Sequence, residues 1–200
     1  MFLKSPSCLI LASTSIYRRQ LLERTRIPFE CVSPGVDEAR LADEDALALV
    51  TRLARAKATA VAVQRPDAWI IGSDQVALLR GNAKFDILGK PGTPDRCIEQ
   101  LQACSGRTLA FITAVAVVHP DGAVCEFIDT TQVTFRTLDA VAIERYVARE
   151  SPLDCAGGFK SEGLGITLCK SIDSADPTAL IGLPLIRLCT VLRTAGFDLP

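Results

Sequence analysis

Apolar runs alternate along the chain with segments of helical periodicity, and this pattern predicts the secondary structure. A continuous apolar run such as Cys8–Ala12 is typical of a strand buried on both faces. Apolar residues that recur every three or four positions, as in 45–64, predict a helix instead. We predict strands at 8–12, 29–33, 69–71, 108–118 and 123–135, and helices at 17–24, 45–64, 94–103, 139–149 and from about 184.

Turn and capping residues set the limits of several of these elements. Thr93 and Pro94 suit the N-cap and first positions of a helix, and Pro120–Gly122 suits the turn between the two long strands. A hairpin-like stretch precedes Gly89, and a glycine-rich loop at 156–165 precedes a further strand. The alternation of strands and helices favours an α/β fold with a mixed sheet.

Length and composition fit one globular domain, residues 1–200, or two closely merged lobes. Of 200 residues, 48% are hydrophobic, which is enough for a core without disulfides. The eight cysteines are scattered and include no C-x-x-C pair, so we predict reduced and mostly buried thiols. A net charge of −1 argues against duplex nucleic acid as a partner. No apolar stretch is long enough for a membrane-spanning helix, so we expect a cytoplasmic protein.

The long predicted helix carries a lysine inside its apolar face. The residues that share this face on a helical wheel are Leu47, Val50, Leu53, Ala54 and Val61. Lys57 falls in the middle of the face, where its ammonium must reach solvent, form a buried ion pair or meet an anionic ligand. The last alternative would place Lys57 in a cleft that binds phosphate or carboxylate, and the pattern leaves all three open.

Three hydroxyl residues followed by two arginines form a candidate anion site. Ser13, Thr14 and Ser15 stand between the first predicted strand and the first predicted helix. The N–H groups and the dipole at a helix N-terminus favour an anion. Arg18 and Arg19 would add forked donors that suit phosphate. A well-capped surface helix would carry the same residues, so the pattern alone does not decide.

Asp74 is the candidate acidic residue of such a site. It follows the apolar strand 69–71 and Gly72, so we expect it just past the end of that strand, where open α/β sheets bind ligands. Gly72 would let backbone or ligand approach closely. Glu38, in an acidic loop, could ligate Mg²⁺, and Lys90, in a Gly-Lys-Pro turn, could reach phosphate. Each of these residues also fits an ordinary cap or a solvated loop.

Two common kinds of catalytic site have no support in the sequence. His119 is the only histidine and stands next to a turn, where we expect it to be exposed, which argues against a His-based triad or zinc cluster. No G-x-x-x-x-G-K-[ST] segment is present, which argues against a P-loop. General-base chemistry would therefore fall to a carboxylate.

Taken in order, these segments resemble the sequence blocks of the Maf family from about Leu9 to Arg193. The matching blocks are Leu9–Ser15 with Arg18-Arg19, Val36-Asp37-Glu38, Leu53–Ala58, Gly72–Gln75, Gly89-Lys90-Pro91 and Gly182-Leu183-Pro184. The resemblance implies an elongated α/β fold with a mixed sheet, similar to that of inosine triphosphate pyrophosphatases, and a cleft between two lobes. It also implies a nucleoside triphosphate pyrophosphatase that needs a divalent cation, Mg²⁺ or Mn²⁺.

The resemblance further implies a role for each candidate residue. Asp74 corresponds to the family's proton acceptor, and we expect it to hold the metal ion together with Glu38. Lys57 and Lys90 would assist the chemistry by gripping the triphosphate. The residues expected to bind the substrate beside them are Ser13, Ser15, Arg18 and Arg19. A small-molecule nucleotide is the expected partner, and a homodimer is an expectation from the family alone.

Fewer residues bear on the base of the nucleotide. Gln75 and Glu162 differ from the threonine and glutamine typical of the branch that cleaves dTTP and UTP, and Cys155–Gly163 resembles the branch that cleaves 7-methyl-GTP. Tyr17 stands where that branch often carries tryptophan. We predict that Glu162, in a flexible glycine-flanked loop, accepts hydrogen bonds from the base. Tyr17 would stack on the cationic ring and Gln75 would contact a further polar edge.

Two other functions fit the same residues. One is the same chemistry on dTTP, UTP or an inosine-type nucleotide. The other is a nucleotide-binding regulator of cell division, with weak or no turnover. The full set of charged residues favours an enzyme, because a sensor does not need a base beside the phosphates.

Overall fold

The computed structural model describes residues 8–80 and 85–200, and its secondary structure is mixed α/β, as the sequence predicts. The strands are β1 (Leu9–Leu11), β2 (Glu30–Cys31), β3 (Trp69–Arg80), β4 (Phe85–Leu88), β5 (Thr108–Val118), β6 (Val124–Phe135) and β7 (Cys169–Asp173). The helices are α1 (Ile16–Glu23), α2 (Ala46–Ala62), α3 (Pro94–Cys104), α4 (Ala140–Glu150) and α5 (Leu185–Thr194). Among the helices of the described ranges, none is long and apolar enough to cross a membrane.

The described strands form one seven-stranded sheet in the order β2-β1-β3-β5-β6-β7, with β4 paired to β3. β1 runs parallel to β2 and β3, and Leu9–Leu11 pairs in register with Trp69–Ile71. β4 runs antiparallel to β3, and β7 runs antiparallel to β6, so the sheet is mixed. The turn of the hairpin-like stretch predicted before Gly89 lies outside the described residues.

The chain divides into two compact units, and the first contains its amino-terminal elements. It comprises the residues up to Asp74 together with Thr113–Asp129 and Gly182–Pro200. β1 is buried along its whole length, as its continuous apolar run predicts. α2 begins after Asp45, whose side chain caps the helix by accepting a hydrogen bond from Ala48 N at 2.7 Å.

The buried face of α2 differs from the predicted face at one residue. The residues buried on it include Val50, Leu53, Ala54, Lys57, Ala58 and Val61. Leu47 is 49% exposed, so its assignment to this face was wrong. A helical wheel gives the direction of a side chain but not how far the covering surface extends along the helix axis.

The second unit is built around its own aromatic and aliphatic core. It comprises Gln75–Ile112 and Thr130–Ile181. Phe159 belongs to this core, with its ring centroid 5.7 Å from that of Phe111 and 5.2 Å from that of Phe135. The expectation of a single domain with two merged lobes stays a prediction.

β3 is longer than the sequence pattern indicated. The strand does not end before Gly72 but continues to Arg80, because Ala77–Arg80 pairs with β4. Asp74 therefore lies inside the strand and not just past its end, which corrects our prediction. The other long strands and the helices agree with their predicted limits within a few residues.

His119 and the cysteines are placed differently from our expectations. His119 is half-buried, with its ring 4.2 Å from that of Trp69 between centroids, so the expectation that it is exposed was wrong. All eight cysteines are free, but only Cys97 and Cys104 are buried, so the prediction of mostly buried thiols was also wrong. Burial raises the pKa of these two thiols to about 11 and about 12, which keeps both protonated near neutral pH.

Candidate functional site

Close packing of α2 against β3 brings the charged side chains of the first unit together. A Cβ atom added to Gly72 would lie 2.7 Å from the backbone nitrogen of Ala58 and would also collide with the carbonyl oxygen of Ala54. Glycine is therefore required for this approach, which confirms the prediction that Gly72 admits a neighbouring backbone. Lys57 lies on the helix between these contacts, and Asp74 lies two residues beyond Gly72 on the same face of the strand.

The ammonium of Lys57 lies between two carboxylates. Its Nζ atom is 2.7 Å from Asp74 Oδ1 and 2.7 Å from Glu38 Oε1. The side chains of Lys57 and Asp74 are only 5% and 9% exposed, whereas that of Glu38 is 56% exposed. Lys57 therefore forms the buried ion pair that the sequence left open as one alternative. One ammonium faces two carboxylates, so Lys57 alone does not balance the charge of both.

The serines after β1 shape the entry into α1. Ser15 is the N-cap of the helix and its Oγ accepts a hydrogen bond from Arg18 N at 3.4 Å. Ser13 is buried, and its Oγ accepts a hydrogen bond from Ser15 N at 3.1 Å. A hydroxyl that accepts still has a proton to donate, so both serines can keep these contacts and also donate to an anion.

Arg18 is anchored to a backbone carbonyl that is distant in sequence. Its Nε donates to the carbonyl oxygen of Gly182 at 3.0 Å, and the buried Ser73 Oγ donates to the same oxygen at 2.9 Å. Burial lowers the pKa of the guanidinium, while the charges of Asp74 and Glu38 act in the opposite direction. Arginine remains protonated in proteins in either case, so Arg18 adds a fixed positive charge to the group around Lys57.

Reasoning from the sequence missed the structural role of Ser73 and Gly182. Both residues stood inside blocks of the family resemblance, but no local pattern connects positions more than a hundred residues apart. A Cβ atom at Gly182 would lie 3.2 Å from Arg18 Nε, and its φ of +117° is one that side-chain-bearing residues rarely adopt. Glycine at this position therefore gives the guanidinium its space.

Arg19 and Tyr17 lie on α1 next to Arg18 but have different surroundings. Arg19 is exposed and its Nε lies 3.0 Å from Glu23 Oε1, four residues along the helix. The structure therefore does not bring Arg19 into the group around Lys57. Tyr17 is half-buried. The predicted roles of both residues toward a substrate stay predictions.

Three predicted site residues belong to the second unit. Gln75 follows Asp74 in β3, and its Nε2 donates to the carbonyl oxygens of Ala179 and Leu180 at 2.9 and 3.0 Å. Lys90 is exposed in the segment between β4 and α3. Glu162 is also exposed and accepts a hydrogen bond from Ser161 Oγ at 3.3 Å. Their roles in catalysis and in selectivity stay predictions.

The loop that carries Glu162 makes close contacts with α4. Its glycines allow close packing, since a Cβ atom on Gly163 would lie 2.5 Å from the carboxylate of Glu150. The Tyr146 hydroxyl oxygen and Glu150 Oε2 accept hydrogen bonds from the backbone N–H groups of Lys160 and Leu164, one on each side of Glu162. The backbone of this segment is therefore hydrogen-bonded to α4 on both sides of Glu162, and its flexibility stays a prediction.

Asp74 and Glu38 are the groups that fit a divalent cation. Within residues 8–80 and 85–200, no cluster of three or more His, Cys, Asp or Glu side chains could hold a metal by itself. Mg²⁺ does not require such a cluster, because it commonly binds to one or two carboxylates, to water and to substrate phosphates. The oxygen donors of the two carboxylates fit this mode.

Comparison with known proteins finds relatives that match this chain over nearly its whole length. A 7-methyl-GTP pyrophosphatase of Xanthomonas campestris pv. campestris is 55% identical over 192 residues, which cover 96% of this chain and 98% of that protein. The 7-methyl-GTP pyrophosphatase of Pseudomonas aeruginosa is 49% identical over 193 residues, covering 96% and 98% of the two chains. That of Aromatoleum aromaticum is 55% identical over 196 residues, covering 97% and 98%.

Two solved structures are also similar to this chain. One is a nucleoside-triphosphatase, or dITP/XTP pyrophosphatase, of Mycobacterium abscessus, with 15% identity and a TM-score of 0.43 over 66% of this chain and 76% of that one. The other is the Ham1 protein of Staphylococcus aureus, with 15% identity and a TM-score of 0.46 over 64% and 72%. The profile described as "Maf-like protein" matches residues 8–195. With relatives of 49–55% identity along nearly its whole length, the chain belongs to the Maf family.

Proposed function

We propose that this protein hydrolyses a nucleoside triphosphate between its α and β phosphates, with 7-methyl-GTP as its substrate. The observation that carries the proposal is the buried Lys57 ammonium held between Asp74 and Glu38, with Arg18 anchored nearby through Gly182. The relatives named 7-methyl-GTP pyrophosphatase support the same activity and the same base.

The phosphate-binding part of the proposal follows from charge and from the donors present. Lys57 and Arg18 supply positive charge, and the Ser13 and Ser15 hydroxyls supply O–H donors at the start of α1. N–H groups and the dipole at a helix N-terminus favour a phosphate at the same place. Hydrogen bonds between charged partners are the stronger kind, so these groups hold the triphosphate in one orientation.

The chemical step needs a proton acceptor, and Asp74 is the proposed one. As the oxygen of a water molecule bonds to the α-phosphorus, Asp74 takes one proton from that water. The bond between the α-phosphorus and the bridging oxygen breaks, and pyrophosphate leaves with the electron pair. Lys57 beside Asp74 keeps the carboxylate oriented and balances part of the charge on the phosphates.

Asp74 and Glu38 are the residues that would hold Mg²⁺ or Mn²⁺. Such an ion, when bound, supplies positive charge that stabilises the phosphate oxygens during the reaction. In this proposal Lys57 pairs with both carboxylates until the ion and the substrate arrive. Chelation of the metal is therefore expected to abolish turnover without unfolding the protein, because Lys57 continues to pair with both carboxylates.

The selectivity for the base and the role of Lys90 rest on the family resemblance and on the named relatives. 7-Methylguanine carries a positive charge, and its edge presents N–H donors that the Glu162 carboxylate can accept. Stacking of Tyr17 on this ring would contribute about 0.5–2 kcal/mol as a cation–π contact. Gln75 contributes to the same selectivity, and Lys90 completes the charge around the triphosphate.

A substrate panel tests the proposal. The purified protein is incubated with Mg²⁺ and, separately, 7-methyl-GTP, GTP, dTTP, UTP and ITP, and kcat/KM is measured from pyrophosphate release. We expect a nucleoside monophosphate and pyrophosphate as products, and a preference for 7-methyl-GTP over GTP of about tenfold or more, which corresponds to about 1.4 kcal/mol.

The other outcomes each point to a different function. A nucleoside diphosphate and orthophosphate as the only products would contradict the position of the cleaved bond. A preference for dTTP, UTP or ITP would support the pyrophosphatase activity but contradict the proposed preference for 7-methylguanine. Binding without turnover in the presence of Mg²⁺ or Mn²⁺ would favour a nucleotide-binding regulator.

A further inference from the structure

The loop that carries Glu162 is attached to one face of α4. Tyr146 and Glu150 lie four positions apart on this helix, so both side chains project from the same face. Each side chain makes two polar contacts with the segment from Gly158 to Leu164. Glu162 lies within this segment, and the contacts fall on both sides of it.

Tyr146 holds the segment before Glu162 through a single buried hydroxyl. The hydroxyl donates to the carbonyl oxygen of Gly158 at 3.1 Å and accepts from Lys160 N at 3.0 Å. Burial raises the pKa of Tyr146, so the hydroxyl keeps the proton that it donates. Both partners of the hydroxyl are backbone atoms. The two hydrogen bonds therefore restrain the backbone of the segment.

Glu150 holds the segment on both sides of Glu162. Its Oε1 lies 2.7 Å from Lys160 Nζ, and its Oε2 accepts a hydrogen bond from Leu164 N at 2.6 Å. The hydrogen bond from Lys160 is the largest cause of a lowered pKa of Glu150, so the carboxylate is ionised at neutral pH. Gly163 lets the carboxylate approach this closely, because any larger residue would collide with it.

We propose that Tyr146 and Glu150 are positioning residues that set the selectivity for the base by fixing the place of Glu162. The inference rests on the proposed function. Recognition by hydrogen bonds requires a donor and an acceptor to be held within about 0.5 Å of the right geometry, and an exposed carboxylate on a loop meets this only when its backbone is held. Anchors at Lys160 and Leu164, two residues away on each side, provide that restraint.

The first test compares selectivity among three variants. Tyr146→Phe keeps the buried ring and removes the hydroxyl, and Glu150→Gln keeps the shape and removes the charge. Glu144→Gln, at an exposed position of the same helix, is the matched control. We expect both positioning variants to lower the ratio of kcat/KM for 7-methyl-GTP over GTP by about three- to tenfold. In the same variants kcat/KM for GTP should change by less than about twofold. The control variant should keep the wild-type ratio.

The second test asks whether the effect passes through Glu162. In a Glu162→Gln background, Tyr146→Phe should lower the selectivity no further, since residues that act through one group are not additive. Hydrogen exchange at the amides of Lys160 and Leu164 should become faster in Tyr146→Phe and Glu150→Gln respectively, because each amide loses or weakens its acceptor. An additive loss of selectivity in the double variant would overturn the inference.

Failure of the inference can be told apart from failure of the proposed function. A wild-type protein that does not prefer 7-methyl-GTP rejects the assigned base. A wild-type preference that survives in variants with faster amide exchange rejects the positioning role alone. If Tyr146→Phe does not fold, Lys160→Met takes its place, because it removes the ion pair with Glu150 and leaves the sequence of α4 unchanged. The inference then requires Lys160→Met to lower the ratio of kcat/KM for 7-methyl-GTP over GTP.

Discussion

Lys57 Nζ lies 2.7 Å from Asp74 Oδ1, and both side chains are almost completely buried. Removal of either side chain would leave the charge of the other buried without this counter-ion. The two removals are not equivalent, because Lys57 also pairs with the exposed Glu38, and this second carboxylate would continue to balance it. The pair therefore contributes to the fold through Lys57 and to the proposed chemistry through Asp74.

Lys57→Met should destabilise the protein. The variant leaves Asp74 buried without its counter-ion, and breaking a buried ion pair in this way costs about 3 kcal/mol or more. Urea denaturation at pH 7 measures the free energy of unfolding, with Lys170→Met at an exposed position as control. Adding Asp74→Asn to Lys57→Met should recover most of the loss, because the unpaired charge is then removed. Wild-type stability of the single variant would show that the pair is not needed for folding.

Asp74→Asn should inactivate the protein with a smaller loss of stability than Lys57→Met. The amide retains the shape but cannot accept a proton, so kcat should fall by roughly a hundredfold or more. Lys57 still pairs with Glu38 in this variant. Parallel measurements of pyrophosphate release and urea denaturation, with Asp67→Asn at an exposed position as control, decide the matter. Retained activity in a protein that no longer folds would assign Asp74 a purely structural role.

Gly72→Ala should disturb the fold and the site together. The added methyl group would lie 2.7 Å from Ala58 N, so α2 must move away from β3 and carry Lys57 with it. Overpacking of this kind costs about 1–3 kcal/mol, and kcat/KM should fall as well. Gly89→Ala is the control for stability, because nothing lies within 4 Å of its added Cβ. A variant with wild-type stability and activity would mean that the helix is free to shift without consequence.

The stability of the protein should fall in acid partly because of Glu44. Hydrogen bonds from Arg52 hold the pKa of Glu44 down to about 2, from an ordinary value of 4.5. A carboxylate with a lowered pKa stabilises the folded state fully above its unfolded pKa, and this contribution is lost as the pH falls from about 4.5 towards 2. Urea midpoints measured between pH 7 and pH 2.5 should therefore decline less steeply in Glu44→Gln.

Part of the acid slope should persist in Glu44→Gln. Glu126 and Glu150 also have a lowered pKa, because Arg55 and Lys160 donate hydrogen bonds to them. These two carboxylates therefore also stabilise the folded state near neutral pH, and this stabilisation is likewise lost as the pH falls. A variant with the full wild-type slope would show that the contact between Glu44 and Arg52 does not contribute.

Glu162→Gln should change the choice of base more than the phosphate chemistry. The amide loses the negative charge and offers a donor where the cationic base also donates, so the preference for 7-methyl-GTP over GTP should drop by about tenfold. kcat/KM for GTP should remain within about threefold of the wild-type value, because Asp74 and Lys57 are unchanged. Glu99→Gln, at an exposed position of α3, controls for the change in net charge. Unchanged selectivity would assign the base recognition to other residues.

Local patterns in the sequence were sufficient for the elements and for their order. The strand at Thr108–Val118 follows from an apolar run, and the cap at Thr93 follows from a side chain that bonds to the next turn. Both signals act over a few residues. The ordered blocks of the Maf resemblance likewise identified the family that the relatives show. Lys57 stood out by itself, because a charge within an apolar stripe must reach solvent or an anionic partner.

Only the tertiary structure decided what that partner is. The pairing of Lys57 with Asp74 depends on how closely α2 approaches Gly72, and the anchoring of Arg18 depends on the distant carbonyl of Gly182. These contacts join residues that are far apart in the chain, and their geometry is set by the packing of helix on sheet. A periodic pattern specifies which face of an element is buried, but the distance and the partner across that face come from the packed neighbour.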